Sequence, residues 1–415
     1  TFTVIDNIIL GAEDTKRGFL SYDKARKVIK ELVERYKFNI NLDSYISDIT
    51  VGQQQKVEII KMLYRQSNIL IFDEPTAVLT PQEIDELIEI MKSFAKEGKT
   101  IILITHKLNE IKRAADRCSI LRRGKMIGTV IVEDTSTDKM AEMMVGRPLE
   151  YLYKKSKFKP GKSILSVHNL VVGVKDKPAV NGVSFDVRAG EILGICGIDG
   201  NGQSELVEAI TGLQNIKSGE VTLNGQIITR QSIRKRYEAG LSHIPEDRQK
   251  HGLVLDFNLA YNLCLQSYYT KDFQKFGLLN IDHIYEHTEE LIKSYDIRSA
   301  NGAKSSMRSM SGGNQQKAII ARESSRDHNL LVAVQPTRGL DVGAIEYIHN
   351  EVIKEREAGK AILLVSFELD EILNLSDRIL VIYEGQMIGE FDTKKTNSNE
   401  LGLYMSGAKR GAVIE

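Results

Sequence analysis

Two adjacent acids and a later histidine stand where short apolar runs of the sequence end. Asp73 and Glu74 follow the run 69–72, and His106 comes just after the run 101–104. Runs of this length are typical of parallel strands buried on both faces, whose carboxyl ends meet at one edge of a sheet. The pattern predicts Asp73 as a metal ligand, Glu74 as the general base for an attacking water, and His106 as a group that orients that water or contacts a phosphate. The alternatives are a helix cap for the acids and a structural role for the histidine.

A glycine-rich loop later in the chain has the spacing of a phosphate-binding loop. The segment "GIDGNGQS" (197–204) fits the frame G-x-x-x-x-G-K-S/T, between an apolar run and a helical pattern. Its glycines, which let backbone N–H groups approach phosphates, are Gly197, Gly200 and Gly202. Ser204 supplies an oxygen for Mg²⁺, but Gln203 stands where the frame has Lys and brings no charge. We expect nucleotide binding with impaired hydrolysis; the alternative is a strand–turn–helix without a ligand.

A second anion site is predicted at the start of a helix in "SMSGGNQQK" (309–317). Ser311 is a good N-cap residue, and Gly312 and Gly313 expose amide N–H groups at the positive end of the helix. These features suit a γ-phosphate presented by another domain, whereas the alternative is an ordinary capped helix.

The chain repeats itself, and the repeat explains the spacing of these motifs. Segments 97–128 and 357–389 are similar at an offset of 261, which also pairs Pro75 with Pro336. At the acid and histidine positions the second copy has Val334, Gln335 and Phe367. At the position of Ser311 to Gly313 the first copy has Thr50, Val51 and Gly52, followed by Gln53.

The elements that position these residues indicate an α/β fold in two copies. Apolar runs alternate with helical patterns, and the stretches 13–47 and 277–306 have the pattern of helical insertions. The leading section of the second copy, about 163–256, has no counterpart in the first, so we expect the first copy to lack its phosphate-binding loop. The predicted divisions are a truncated first domain 1–135, a linker 136–162, a second domain 163–395, and a tail 396–415.

Bulk properties exclude several classes of protein. The 415 residues are enough for two or three domains, and 56 basic residues balance 56 acidic ones. Zero net charge gives no reason to expect nucleic acid as a partner. The sequence has no apolar stretch of 18 residues that would span a membrane, and its three cysteines have no metal-ligand spacing.

In combination, the motifs resemble the nucleotide-binding domains of ABC transporters. The double form resembles the tandem ATP-binding subunit of bacterial simple-sugar and nucleoside importers, over essentially the whole chain. The segments "IPEDRQKHGLV" (244–254), "SGGNQQK" (311–317) and "PTRGLDVGA" (336–344) carry this similarity. The segments 335–349 and 363–385 are most similar to guanosine-type nucleoside importers, and ribose- or galactose-type sugars are the alternative cargo.

The resemblance implies two composite ATP sites, each closed by the signature of the other domain. One would use Asp73, Glu74 and His106 with the signature Ser311 to Gly313. The other would use the loop 197–204 with Val334, Gln335 and Phe367, and the departures from the family pattern collect there. We therefore expect one hydrolytic site and one site that at most binds nucleotide, with the turn at Asp341, which replaces Thr80, coupling them.

The same resemblance implies cofactors, partners and location. ATP and Mg²⁺ are the expected cofactors, and two transmembrane permease subunits and an extracellular lipoprotein binding protein are the expected partners. The permease contact is expected around Glu246 to Gly252 and near residues 257–300. The location would be the cytoplasmic face of the bacterial plasma membrane. Two alternatives are a soluble tandem ATPase acting on ribosomes or DNA and, for these 415 residues alone, a non-hydrolysing remnant.

Overall fold

The computed structural model describes residues 2–411, apart from residues 17, 18, 37, 39, 50, 77, 78, 80, 123, 147–154, 158, 160, 175 and 176. Contacts divide the chain into a first unit, residues 1–149, and a second unit, residues 150–415. Thr50 and Thr80, which the repeat pairs with Ser311 and Asp341, lie outside the described residues.

The first unit combines short strands with helices. Its strands are β1 (Thr15–Lys16), β2 (Phe19–Leu20), β3 (Ile69–Asp73), β4 (Thr100–Ile104), β5 (Arg117–Arg122) and β6 (Lys125–Ile131). Its helices are α1 (Val4–Ile9), α2 (Asp23–Arg35), α3 (Val51–Tyr64), α4 (Pro81–Lys96), α5 (Leu108–Ala114) and α6 (Thr137–Val145). Strands β3 and β4 pair in parallel, and β1–β2 and β5–β6 are antiparallel pairs.

The second unit contains the strands β7 (Ser163–Val174), β8 (Lys177–Arg188), β9 (Ile192–Cys196), β10 (Ile216–Leu223), β11 (Gln226–Ile227), β12 (Leu241–Ile244), β13 (Gln274–Lys275), β14 (Leu278–Leu279), β15 (Leu330–Val334), β16 (Ala361–Val365), β17 (Arg378–Tyr383) and β18 (Gln386–Asp392). Its helices are α7 (Gln203–Thr211), α8 (Ile233–Glu238), α9 (Leu259–Cys264), α10 (Ile281–Ser294), α11 (Gly312–Ser324), α12 (Val342–Glu357), α13 (Leu369–Leu375) and α14 (Ser398–Met405).

The central sheet of the second unit has the order β12-β15-β16-β9-β17-β18, and only its last pair is antiparallel. Strands β9, β15 and β16 are buried along their whole length, as their continuous apolar runs predict. An antiparallel sheet, β11-β10-β7-β8, shares one hydrophobic core with helix α7 and one face of the central sheet. The carboxyl ends of the parallel strands therefore meet beside the loop 197–202.

Two expectations from the sequence are corrected by the structure. Strands β3 and β4 were expected to be buried on both faces, but Ile71 and Ile102 on one face are 58% and 45% exposed. The stretches 13–47 and 277–306 were expected to be helical insertions, but each helix in them follows a short hairpin, β1–β2 or β13–β14. In the second stretch Gly277, with a φ of +80°, lies in the turn between β13 and β14 and interrupts the helical pattern there.

The predicted domain divisions stay a prediction. Helix α6 lies inside the proposed linker 136–162 and contacts strand β5, and helix α14 lies inside the proposed tail 396–415 and contacts strand β17. Across the described part of the chain, none of the helices has the length and apolar content needed to span a bilayer.

Candidate functional site

In the first unit, the acid pair and the histidine lie together at the end of the parallel pair β3–β4. Asp73 is opposite Ile104 in the strand register, and the Glu74 N–H donates to the Ile104 carbonyl at 2.9 Å. His106 follows β4 by two residues, and its Nδ1 is 2.8 Å from Glu74 Oε1. The structure thus brings together the two side chains whose catalytic roles were predicted, while Asp73 is exposed at the strand end.

The backbone and electrostatics of Glu74 suit a residue that must point at a reactant. Its φ of +45° is in the left-handed region, which a non-glycine residue rarely adopts. Burial raises the pKa of Glu74, but the hydrogen bond and charge of His106 outweigh burial, and the pKa lies below its ordinary value. One carboxylate oxygen contacts His106, and Oε2 is buried without a hydrogen-bond partner among the described residues. This ionised carboxylate therefore has one oxygen to accept a proton or orient a water.

A buried carboxylate joins the two loops that carry Glu74 and His106. Glu110, on helix α5, accepts a hydrogen bond from Thr76 Oγ1 at 2.5 Å and one from Thr105 Oγ1 at 3.3 Å. Thr76 is two residues after Glu74, and Thr105 immediately precedes His106. Because a buried carboxylate needs such donors, these contacts fix one strand-end loop against the other.

In the second unit, the glycine loop has the geometry that its sequence predicted. The loop 197–202 connects strand β9 to helix α7. Gly202 has a φ of +103°, and a Cβ there would collide with the Ala179 carbonyl, so only glycine fits. Asn201 fixes the loop to the β17–β18 turn, because its side-chain oxygen accepts from the Glu384 N–H at 2.9 Å and its carbonyl accepts from the Gly385 N–H at 3.0 Å.

The side chain of Gln203 folds into this loop. It is only 3% exposed, and its Nε2 donates to the Ile198 carbonyl at 3.0 Å. The Gln203 amide therefore makes a hydrogen bond within the loop and adds no positive charge to it. This arrangement agrees with a phosphate-binding loop that lacks the usual charge-neutralising lysine.

The sequence predicted Glu246 only as part of the permease contact, but its side chain contacts Ser204 of the glycine loop. Ser204 Oγ donates to Glu246 Oε2 at 3.3 Å, and Arg338 Nη1 is 2.6 Å from Glu246 Oε1. Glu246 follows the end of β12, a parallel neighbour of β15, so strand order predicts its position once the sheet is known. The spacing of residues near Glu246 in the sequence does not predict this position.

The end of strand β15 repeats the backbone of the first unit with different side chains. Gln335 has a φ of +47°, and its N–H donates to the Val365 carbonyl at 2.8 Å. Val334 is buried, and Gln335 is 5% exposed with an Nε2 that has no partner among the described residues. Phe367 is partly buried at the histidine position. This strand end therefore presents no carboxylate of its own.

The carboxylate joining the loops is also repeated in the second unit. Glu371 accepts from Thr337 Oγ1 at 2.8 Å and contacts His349 Nε2 at 2.9 Å. Burial raises the pKa of Glu371, but the hydrogen bond from His349 and its charge outweigh burial, and the pKa lies below its ordinary value. The sequence reasoning did not identify Glu110 or Glu371, although the offset of 261 pairs them.

The predicted anion site at Ser311 has its helix but not the expected cap. Ser311 is the N-cap residue of α11, and its hydroxyl accepts from Asn314 Nδ2 at 2.9 Å rather than from a backbone N–H. Gly312 lies close to the Arg248 guanidinium, where a Cβ would come within 2.8 Å of Nη2. A Cβ at Gly313 would come within 3.3 Å of the Ala344 Cβ, and the helix start carries positive charge from both its dipole and Arg248.

The oxygen donors of both units fit a Mg²⁺ ion that is held mainly by a nucleotide. Mg²⁺ near phosphates takes one or two protein oxygens and completes its shell with water and phosphate. Ser204 and Glu246 in the second unit, and Asp73 in the first, are donors of this kind. No cluster of three or more acidic, histidine or cysteine side chains that could hold a metal is found in the described part of the chain. The residues therefore fit a nucleotide-bound ion rather than a closed protein cage.

Comparison with known proteins places these motifs in a wider set. The family profile described as ABC transporter matches residues 2–77 and 180–338. The nucleoside import ATP-binding protein of Lactococcus lactis subsp. cremoris is 53% identical over 407 residues, which cover 98% of this chain and 80% of that protein. The guanosine import ATP-binding protein of Bacillus subtilis is 51% identical over 409 residues, with the same coverage of 98% and 80%.

Relatives that import sugars are more distant. The ribose import ATP-binding protein of Clostridium tetani is 37% identical over 405 residues, which cover 97% of this chain and 79% of that protein. The similarity of all three relatives extends through both units.

Proposed function

The chain belongs to the ABC transporter family, and we propose that it is the ATP-hydrolysing subunit that drives import of nucleosides. The proposal of ATP hydrolysis rests on the contact between Glu74 and His106, in which Glu74 Oε1 lies 2.8 Å from His106 Nδ1. A carboxylate with one oxygen paired to an imidazole and the other without a partner is suited to hold a water and take its proton.

The chemistry of the first unit follows from its side chains. Glu74 accepts a proton from the attacking water, and His106 keeps the carboxylate oriented and contacts the transferred phosphate. Asp73 would hold Mg²⁺, which supplies charge neutralisation for the phosphates when bound. The pairing of these residues with Ser311, Gly312 and Gly313 is implied by the family resemblance and stays a prediction.

The second unit is proposed to bind nucleotide without hydrolysing it. The loop glycines Gly197, Gly200 and Gly202 offer backbone N–H groups to phosphates, and Ser204 offers an oxygen to Mg²⁺. Gln203 and Gln335 are neutral amides where hydrolysis needs a cation and a base. Such amides can donate hydrogen bonds to phosphate oxygens but do not activate water.

Partners and location follow from the role of an import ATPase. We propose that two transmembrane permease subunits bind this chain at the cytoplasmic face of the bacterial plasma membrane. An extracellular lipoprotein would deliver the substrate to them. Nucleic acid is not proposed as a partner.

The nucleoside assignment is carried by identity: the two nucleoside-importing relatives are 53% and 51% identical, whereas the ribose-importing relative is 37% identical. It is tested by uptake of labelled guanosine and labelled ribose in a strain that lacks the gene, with and without complementation. We expect the deletion to remove guanosine uptake and leave ribose uptake unchanged. The reverse pattern would assign the chain to a sugar importer.

A ribosome- or DNA-directed ATPase is disfavoured because the net charge is zero and one set of site residues lacks its acids.

A further inference from the structure

Each unit carries a small β-hairpin that the proposed chemistry does not use. In the first unit β1 pairs Thr15 with Leu20, and in the second unit β13 pairs Gln274 with Leu279. These registers are identical at an offset of 259. The sequences "KRGFL" (16–20) and "KFGLL" (275–279) share a lysine, a glycine and two apolar residues after that glycine.

The tip of the second hairpin exposes apolar side chains together. Phe276 is 95% exposed, Leu278 is 76% exposed, and Leu279 is 45% exposed. In the first hairpin Leu20, the counterpart of Leu279, is 54% exposed. Single exposed apolar residues are common on proteins, but a group of them on one protrusion marks an interaction surface.

The base of the second hairpin is firmly held, so its tip is presented in a defined position. Phe273 is buried, and its ring lies 5.2 Å from the His287 ring. Gln274 Nε2 donates to the Tyr269 carbonyl at 3.1 Å, and the Asn280 N–H donates to the Phe273 carbonyl at 2.9 Å. An exposed turn fixed in this way loses little conformational freedom on docking.

The hairpin is present in both units, so a role that does not depend on hydrolysis fits it. It is retained in the second unit, whose strand end has Val334 and Gln335 instead of the acid pair. A partner that meets each unit once, and therefore comes as a pair, fits this distribution. The charged residues adjoining the second hairpin are balanced in sign: Lys271, Asp272, Lys275 and Asp282. An anionic lipid surface favours basic clusters, so balanced charge favours an apolar pocket on a protein.

We propose that the two hairpins dock into the paired permease subunits, the second through Phe276, Leu278 and Leu279 and the first through Leu20, each entering an apolar pocket on one subunit. This inference rests on the proposed function, which supplies the permease partners. It narrows the contact expected within residues 257–300 to the tip 276–279 and adds an equivalent contact, at Leu20, in the first unit.

The test is performed on the assembled transporter, solubilised in detergent and captured through a tag on the ATP-binding subunit. The double variant Phe276→Ser/Leu278→Ser removes the tip side chains of the second unit, and Leu20→Ser changes the first. Ile227→Ser, at a 59% exposed residue on strand β11, is the matched control. We expect the double variant to retain about tenfold less permease, Leu20→Ser to retain less than the control, and the control to match the parent. Unchanged thermal melting would show that all variants fold.

The outcomes separate the docking claim from the proposed function. If the parent retains no permease, the proposed partnership itself fails. If the parent and the double variant retain permease equally, only the docking claim fails. Two further results would overturn it: tip-dependent binding to phosphatidylglycerol–phosphatidylcholine vesicles without permease, or a tip-dependent dimer in size-exclusion chromatography with light scattering.

Discussion

The residues that follow strands β3 and β15 have the same backbone conformation but different side chains. Glu74 and Gln335 have φ values of +45° and +47°, and their N–H groups donate to the neighbouring strand at 2.9 Å and 2.8 Å. The left-handed conformation is therefore not tied to the presence of a catalytic carboxylate. The comparison shows that the scaffold of the site can be kept while its chemistry is removed.

The largest expected effect comes from exchanging the residues at this position in the assembled transporter. Glu74→Gln keeps the shape and the contact with His106 but removes the base, so ATP turnover should fall by at least about 100-fold. Gln335→Glu adds a carboxylate to a unit that has Val334 and Gln203 where hydrolysis needs an aspartate and a lysine, so turnover should stay within about twofold of the parent. Steady-state phosphate release measures both.

Nucleotide binding serves as the control for this exchange. Both variants should bind a fluorescent ATP analogue with the affinity of the parent, because neither substitution touches the glycine loop. Equal losses of turnover in the two variants would contradict the division into one hydrolytic and one non-hydrolytic set of residues.

A smaller effect is expected at the buried carboxylates that join the loops. Glu110 holds Thr76 and Thr105, and Glu371 holds Thr337. Glu110→Gln weakens the contacts that set the distance between Glu74 and His106, so turnover should fall by roughly tenfold with unchanged nucleotide affinity. Phosphate release measured in quenched assays gives the turnover, and equilibrium nucleotide binding gives the affinity, so the two effects are measured separately.

Glu371→Gln is the matched substitution in the second unit. The loop that Glu371 holds carries Gln335 where the first unit has its base, so the effect on turnover should stay within about twofold. Unfolding should nevertheless become easier, because the contact with His349 loses the charge of the carboxylate. A similar loss of turnover from both substitutions would mean that the two carboxylates act only through the stability of the fold.

The sequence predicted the strands and the meeting of Glu74 with His106, because both follow from local apolar runs and from parallel pairing. It did not predict the partners of Glu110 or the contact of Glu246 with Ser204. These depend on which strands are neighbours, and only the assembled sheet order brings β12 beside β15. The spacing of residues along the chain does not indicate which of them make such contacts.

The sequence predicted burial on both faces for the strands of both units, but the structure shows such burial only for those of the second unit. Ile71 and Val332 occupy paired positions in apolar runs, yet Ile71 is 58% exposed and Val332 is fully buried. Val332 belongs to the core shared with α7 and the antiparallel sheet, and the described part of the first unit contains no counterpart of those elements. An apolar run therefore predicts the strand, while the elements packed on it decide whether both faces are covered.

The smallest expected effect concerns Asp341, the acid that the second unit gained where the first has Thr80. Asp341 is the N-cap of α12, and its side chain accepts from the Ala344 N–H at 2.9 Å. Asp341→Ala removes this cap and should lower the free energy of unfolding by about 1 kcal/mol, whereas Asp341→Asn keeps a good capping residue. If the turn also couples the two sets of site residues, Asp341→Ala should lower turnover in the assembled transporter roughly twofold. Turnover that stays at the parental rate while the melting temperature falls would leave Asp341 a capping residue without a role in coupling.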